Sequence, residues 1–182
     1  MGDSNSKKLQ DTIREVSLVR MRSNSGIDGL RIEELPAIPL VYAHWMTLIV
    51  ASGQHLAFMF KCHFMHDQAR FLAAKSYACQ PDAITRDQAI NFFCEYCNLV
   101  GGGISQLLND CNVMVGTSLP IWSRGFDEVF SFPPKGALTD SWKLCTPRVE
   151  IFCSSQIEVF ETFDFTGARF DQNADSGRVE FL

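Results

Sequence analysis

Residues 86–109, RDQAINFFCEYCNLVGGGISQLLN, read as one helix, and that helix constrains the rest of the chain. At about 100° per residue, Asp87, Asn91, Glu95, Asn98, Gly102 and Ser105 fall within an arc of about 80°. Ala89, Ile90, Phe93, Cys97, Val100, Ile104, Leu107 and Leu108 gather opposite them, as a core-facing stripe does. The polar arc is unusual. A solvated face carries Lys, Arg and Glu, whereas this one has amides, small residues and a single central carboxylate. Such a composition suits a face that another molecule meets.

The remaining bulk must bury the apolar stripe. With 182 residues the chain fits one ordinary domain with short tails. Its 46% hydrophobic and 20% charged content is that of a soluble globular protein, and fifteen Phe supply a sizeable core. A net charge of -5 without any long basic run argues against a nucleic-acid partner, since neutralising phosphates needs clustered Lys and Arg. Seven cysteines is an odd count, and residues 1–25 contain no apolar signal-peptide core, so reduced thiols and a cytoplasmic location are expected. The most apolar run, 37–51, is short for a membrane span and is interrupted by Pro39, His44 and Thr47. The opening Met1-Gly2-Asp3-Ser4-Asn5-Ser6 matches the myristoylation pattern only as loosely as chance allows.

In order along the chain, 1–8 read as frayed and 8–21 as an amphipathic helix through Leu9, Ile13, Val16 and Val19. Segments 40–50 and 55–63 form an apolar hairpin around Ser52-Gly53-Gln54. A helix is expected over 64–77, and Thr85 caps the helix that follows. Segment 111–119 reads as a strand, 142–152 and 156–165 as a second hairpin, and 179–182 as an edge strand. The implied class is α+β: a single domain with a mostly antiparallel sheet and two long helices on one face. The expected division is an N-terminal segment or helix at 1–25, a domain at 26–166 and a tail at 167–182.

Several motifs suggest chemistry that their surroundings do not support. Cys94-x-x-Cys97 lies mid-helix, whereas a redox pair places its first thiol at a helix N-terminus; packed thiols are the expectation. Cys62, His63 and His66 have no second cluster to complete a metal site, so no metal is expected. Gly101-Gly102-Gly103 follows several helical turns, whereas a phosphate cradle precedes a helix. Each glycine costs up to about 1 kcal/mol relative to alanine in a helix, so close approach of a neighbour should repay the smallness. Glu95-x-x-Asn98 projects two side chains together from one face, a carboxylate for a cation and an amide for a water.

The string Glu95-Tyr96-Cys97-Asn98-Leu99-Val100-Gly101-Gly102 runs on through Leu107-Leu108 to Ser118-Leu119-Pro120-Ile121-Trp122-Ser123-Arg124-Gly125. It resembles the signature of the CheC/CheX chemotaxis phosphatase family: Glu-x-x-Asn, a Gly four residues later, then a strand, Pro and Gly. The single Glu-x-x-Asn resembles the CheX-type members. The resemblance covers 30–165, with motif-level specificity only in 95–125. Where the family has Asp or Ser four residues before the Glu, this chain has Asn91.

The resemblance implies a CheX-like fold and a phosphatase, a hydrolase of two-component signalling. Its substrate would be the phospho-aspartate of a CheY-like response-regulator receiver domain. Asn98 would orient the attacking water and Glu95 would pair with the receiver's lysine. Asn91, Gly101 and Gly102 would line the docking face. It also implies no cofactor of the chain's own, Mg²⁺ being supplied by the receiver partner, and a homodimer; charge and hydropathy add the expectation of no nucleic acid and no membrane. The alternative is a non-catalytic scaffold of the same fold that binds a receiver or dimerises.

Overall fold

The alternating apolar residues of 45–64 fold into an antiparallel hairpin, β2 (Trp45–Gly53) and β3 (Leu56–Phe64), at the centre of the molecule. The structure is a computed structural model that describes residues 2–35, 45–124 and 134–170. Around the hairpin lie β1 (Arg31–Glu34), β4 (Val115–Thr117), β5 (Ile121–Arg124), β6 (Leu138–Thr146) and β7 (Val149–Val159). These described strands form one antiparallel sheet in the order β1-β6-β7-β3-β2-β4. The short β5 joins the same edge of β2 further along, pairing with residues 45–48.

Register decides which residues are buried. Thr47, Cys62, Cys153 and Trp142 stand side by side across β2, β3, β7 and β6, so their side chains share one face. Phe58, Phe60, Phe64, Ile151, Ile157 and Leu144 lie on that face, and all are buried. Three helices cover it: α1 (Gly2–Ser25), α2 (His66–Ser76) and α3 (Arg86–Asp110). Helices collected on one face of an antiparallel sheet is the α+β arrangement expected from the sequence. The two long helices are α1 and α3, while 64–77 yields the shorter α2.

The first helix is part of the core. Leu9, Ile13, Val16 and Met21 are completely buried, and the helix begins well before Lys8, where fraying was expected. Its N-terminal turns are held by the chain after β7: Asn5 donates to the Phe163 carbonyl (2.8 Å) and accepts from the Phe165 amide (3.2 Å), and Lys8 donates to the Thr166 carbonyl (2.7 Å). Ser17 joins three elements. Its carbonyl accepts from the Tyr96 hydroxyl (3.1 Å), and its Oγ accepts from Trp142 Nε1 (3.1 Å). Arg14 stacks over Trp142 and pairs with Asp140 and Glu34, fastening α1 to β6 and β1.

Two elements differ from the sequence reading. The second hairpin turns at Pro147-Arg148 rather than at 153–155, so β6 and β7 take up 138–159. Proline has no N–H for the ladder and its fixed φ suits a turn; the Arg148 amide donates to Thr146 Oγ1 (3.1 Å) there. Segment 111–119 contributes only the three residues of β4. The expected strand over 40–50 is described from Trp45 onward, and the expected edge strand at 179–182 lies outside the described residues.

Because Ile13 is fully buried between α1 and the rest of the core, Ile13→Ala should cost about 2–5 kcal/mol of unfolding free energy. Denaturant titration checks this, and an unchanged midpoint would show that α1 is a detachable segment.

Candidate functional site

α3 starts as the sequence implies. Thr85 and Gln88 form a reciprocal cap: the Gln88 amide donates to Thr85 Oγ1 (3.2 Å), and the Thr85 amide donates to Gln88 Oε1 (2.9 Å). From there the helix is gripped on three sides. Below, Phe93 stacks on Phe64 with ring centroids 3.8 Å apart, and Cys97 Sγ lies 3.2 Å from Thr47 Oγ1. Thr47 Oγ1 also lies 3.0 Å from Cys62 Sγ, itself 3.7 Å from Cys97 Sγ. Laterally, Tyr96 reaches α1 through Ser17, and α2 packs along the same helix.

The three glycines show how narrow this fit is, because consecutive helical positions point about 100° apart. A Cβ on Gly101 would come 2.8 Å from Ile49 Cδ1 on β2. On Gly103 it would come 3.3 Å from Val16 Cγ1 on α1, and on Gly102 it would meet nothing within 4 Å. One glycine faces the sheet, one faces solvent and one faces the neighbouring helix. Gly101, expected to line the docking face, is therefore buried against the sheet; its smallness admits Ile49. Ser105 is also corrected. Its spacing puts it at the edge of the polar arc, but it is buried.

The remaining members stay together at the surface. Asn91, Asn98 and Gly102 are exposed and Glu95 is half-buried, on one stripe about three turns long. No hydrogen bond or ion pair to another described residue occupies the Asn91, Glu95 or Asn98 side chains. A carboxylate and two amides thus keep their full capacity for an incoming molecule.

The thiols near the stripe are suited to packing. Burial pushes the Cys94 thiol up to about 11 and that of Cys62 well above its ordinary value, so both are neutral near pH 7 and poor nucleophiles. Among the described residues no three His, Cys, Asp or Glu side chains converge as a metal site would require. No described helix is long and apolar enough to cross a membrane.

Composition alone did not reveal what flanks the stripe. β4 and β5 run beside α3; Trp122 on β5, Met114 just before β4 and Leu119 between the two strands are exposed. Trp122 packs on Trp45 with ring centroids 5.6 Å apart, and the Arg86 guanidinium lies 4.4 Å above the Trp45 ring. The available signal was that residues 111–123 contain no charged side chain.

No family model matches the sequence, and neither does any curated protein. Solved structures do match in shape. CheX from Vibrio vulnificus superposes with a TM-score of 0.70 at 12% identity, over 83% of this chain and 99% of that one. The chain has a CheC/CheX-like fold. A CheC-like superfamily protein from Shewanella matches with a TM-score of 0.66 at 14% identity, over 82% of this chain and 97% of its own. A third match is CheX from Borrelia burgdorferi, solved as a CheX–CheY–BeF3–Mg²⁺ complex: TM-score 0.66, 13% identity, covering 81% and 96% of the two chains. Within this CheX-like fold, Glu95 and Asn98 occupy the outward side of the helix that crosses β2 and β3.

The opposite duties of the two glycines are measurable. Gly101→Val should overpack against Ile49 and destabilise the protein by about 1–3 kcal/mol. Gly102→Ala should stabilise it by up to about 1 kcal/mol, because alanine favours the helix and finds open space. Thermal melts of the two variants should shift in opposite directions.

Proposed function

We propose that this protein hydrolyses the phospho-aspartate of a CheY-like receiver domain, with the Glu95/Asn98 stripe of α3 docked over the receiver's phosphorylated site. The observation that carries the reading is that stripe: a carboxylate and an amide three residues apart, on a rigid helix, without partners among the described residues. Support comes from the fold shared with CheX, one example of which is seen in complex with CheY, BeF3 and Mg²⁺.

The chemistry asked of this chain is small. Water adds to phosphorus, the bond from phosphorus to the aspartyl oxygen breaks, and a carboxylate and inorganic phosphate leave. Charge neutralisation at the phosphoryl oxygens is the receiver's part, through its Mg²⁺ and lysine, so the chain needs no cofactor of its own. Asn98 supplies orientation. Its amide oxygen accepts from the water and its NH₂ donates to a phosphoryl oxygen, so water and phosphorus are held in line. Glu95 accepts from the receiver's lysine and fixes the docked register. Asn91, one turn earlier, adds hydrogen-bonding capacity without a second charge. Gly102 leaves room for the receiver's backbone to approach the helix.

The test is phosphate release from phosphorylated receivers of the source organism in the presence of Mg²⁺. The protein should accelerate release from at least one of them. Asn98→Ala should lower that acceleration about 100-fold while leaving complex formation intact. Glu95→Ala should weaken the complex about 10- to 100-fold, the value of a charged hydrogen bond. Binding without acceleration would favour the scaffold reading, and absence of any receiver interaction would sink both.

A further inference from the structure

The largest exposed apolar side chains near α3 form a rail beside its polar stripe. Leu119 is 84% exposed, Met114 69% and Trp122 47%. The rail is aligned with the stripe by its hydrogen bonds and ring contacts. The Ser118 amide donates to the Val50 carbonyl (2.8 Å) and the Val50 amide donates to Ser118 Oγ (3.1 Å), which places the 118–120 turn beside Ile49 and Val50. Ile49 is the residue that Gly101 rests on, so Leu119 is level with Gly101 and Gly102. Towards the other end, Trp122 leans on Trp45, and Trp45 lies under Arg86 in the first turn of α3. From Arg86 to Gly101 is about 22 Å along the helix axis. A standard interface of about 800 Å² per partner is roughly 30 Å across, wide enough to cover both rails together.

Charge says what kind of surface fits here. Residues 88–109 contain one charged side chain, Glu95, and 111–123 contain none. Beyond Arg86 and Asp87 in the first turn of α3, the two-rail face is therefore a largely uncharged field with one carboxylate, Glu95, in it. A second copy of this face, paired isologously, would bring two Glu95 carboxylates, one from each copy, into one poorly solvated contact, which is unfavourable. A partner that offers a single cation within an apolar surround is complementary to it.

We propose that the Leu119–Trp122 rail is the apolar half of the receiver-docking surface, supplying burial and hence affinity while Glu95 and Asn98 supply register and chemistry. This rests on the receiver reading above. Exposed Trp is the residue type most enriched in interface hot spots, and here Trp122 rests before binding on the Trp45 ring, which the Arg86 guanidinium covers in turn. Leu119, at the tip of a turn tied down by two hydrogen bonds, is a second anchor that needs no rearrangement.

The experiment separates the rail from the stripe. Leu119→Ser and Trp122→Ala are compared with the unaltered protein in steady-state phosphate release, and in calorimetric binding to the receiver carrying BeF3 and Mg²⁺. Each rail variant should raise KM and Kd about 10-fold and leave kcat within about 2-fold, the reverse of Asn98→Ala. Leu119 is so exposed that its substitution leaves the core untouched, which keeps the test valid if Trp122→Ala folds poorly. Unaltered protein that binds a receiver, with rail variants that bind it equally well, overturns the rail while the receiver reading stands. Failure of the unaltered protein to bind any receiver overturns both. Rail variants that convert a dimer to a monomer in sedimentation, with receiver affinity unchanged, would assign the rail to a second copy of the chain and overturn the proposal.

Discussion

The approach of Gly101 to Ile49 sets how deeply α3 sits on the sheet, and most of the outward surface follows from that depth. At this separation Cys97 reaches Thr47, Phe93 lies flat on Phe64, and Tyr96 extends to the backbone of α1 at Ser17. A bulkier residue at 101 would lift the helix and loosen all three contacts. With the sheet below and α1 and α2 against it, α3 keeps a single free side. Asn91, Glu95, Asn98 and Gly102 are on that side because every other direction is occupied. A site carried on a helix held this way is positioned more tightly than one carried on a loop.

The same packing explains why a helix with three consecutive glycines is tolerable. Glycine weakens a helix by exposing its backbone and enlarging the unfolded ensemble. Here two of the three admit close neighbours, Ile49 and Val16, and the van der Waals contact they permit offsets part of that cost. Only Gly102 receives nothing from inside the molecule. Its cost is borne without any intramolecular return, as expected of a position kept small for an outside partner.

The sequence showed much of this because α3 has a strong period and a complete cap. The boundaries 86–109 differ from the observed Arg86–Asp110 by one residue, and Thr85 caps as its chemistry implies. The class of fold was legible from the strand-rich order of segments, which is a matter of pattern. Elements that depend on tertiary contact were not. Helical spacing puts Gly101 within 80° of Asn98 without showing which flank the sheet covers, and the burial of Ser105 likewise depends on tertiary packing that spacing does not encode. α1 could not be assigned to the core because its apolar residues say that something covers them without saying what. The turn at Pro147 was readable from the proline itself, but the β-branched and aromatic run on both sides of it obscured the break.

The neutral residue at 91 bears on how the stripe recognises charge. An acid there would place a second carboxylate one helical turn from Glu95, within about 6 Å. Two negative charges facing one ammonium would also face each other and the phosphoryl group, and the repulsion would grow as docking expelled water. With Asn91 the negative field at the centre of the stripe is Glu95 alone, Asp87 lying about two turns away in the first turn of α3. In the proposed complex one carboxylate would pair with one ammonium, and the amides at 91 and 98 would add hydrogen bonds whose energy does not depend on net charge. A phosphorylated surface is anionic overall, so a face with one well-placed carboxylate and otherwise neutral donors and acceptors pays the least electrostatic penalty for approaching it. Under the proposed function, the departure at Asn91 would shift the stripe from charge pairing towards hydrogen bonding, and would leave the roles proposed for Asn98 and Glu95 intact.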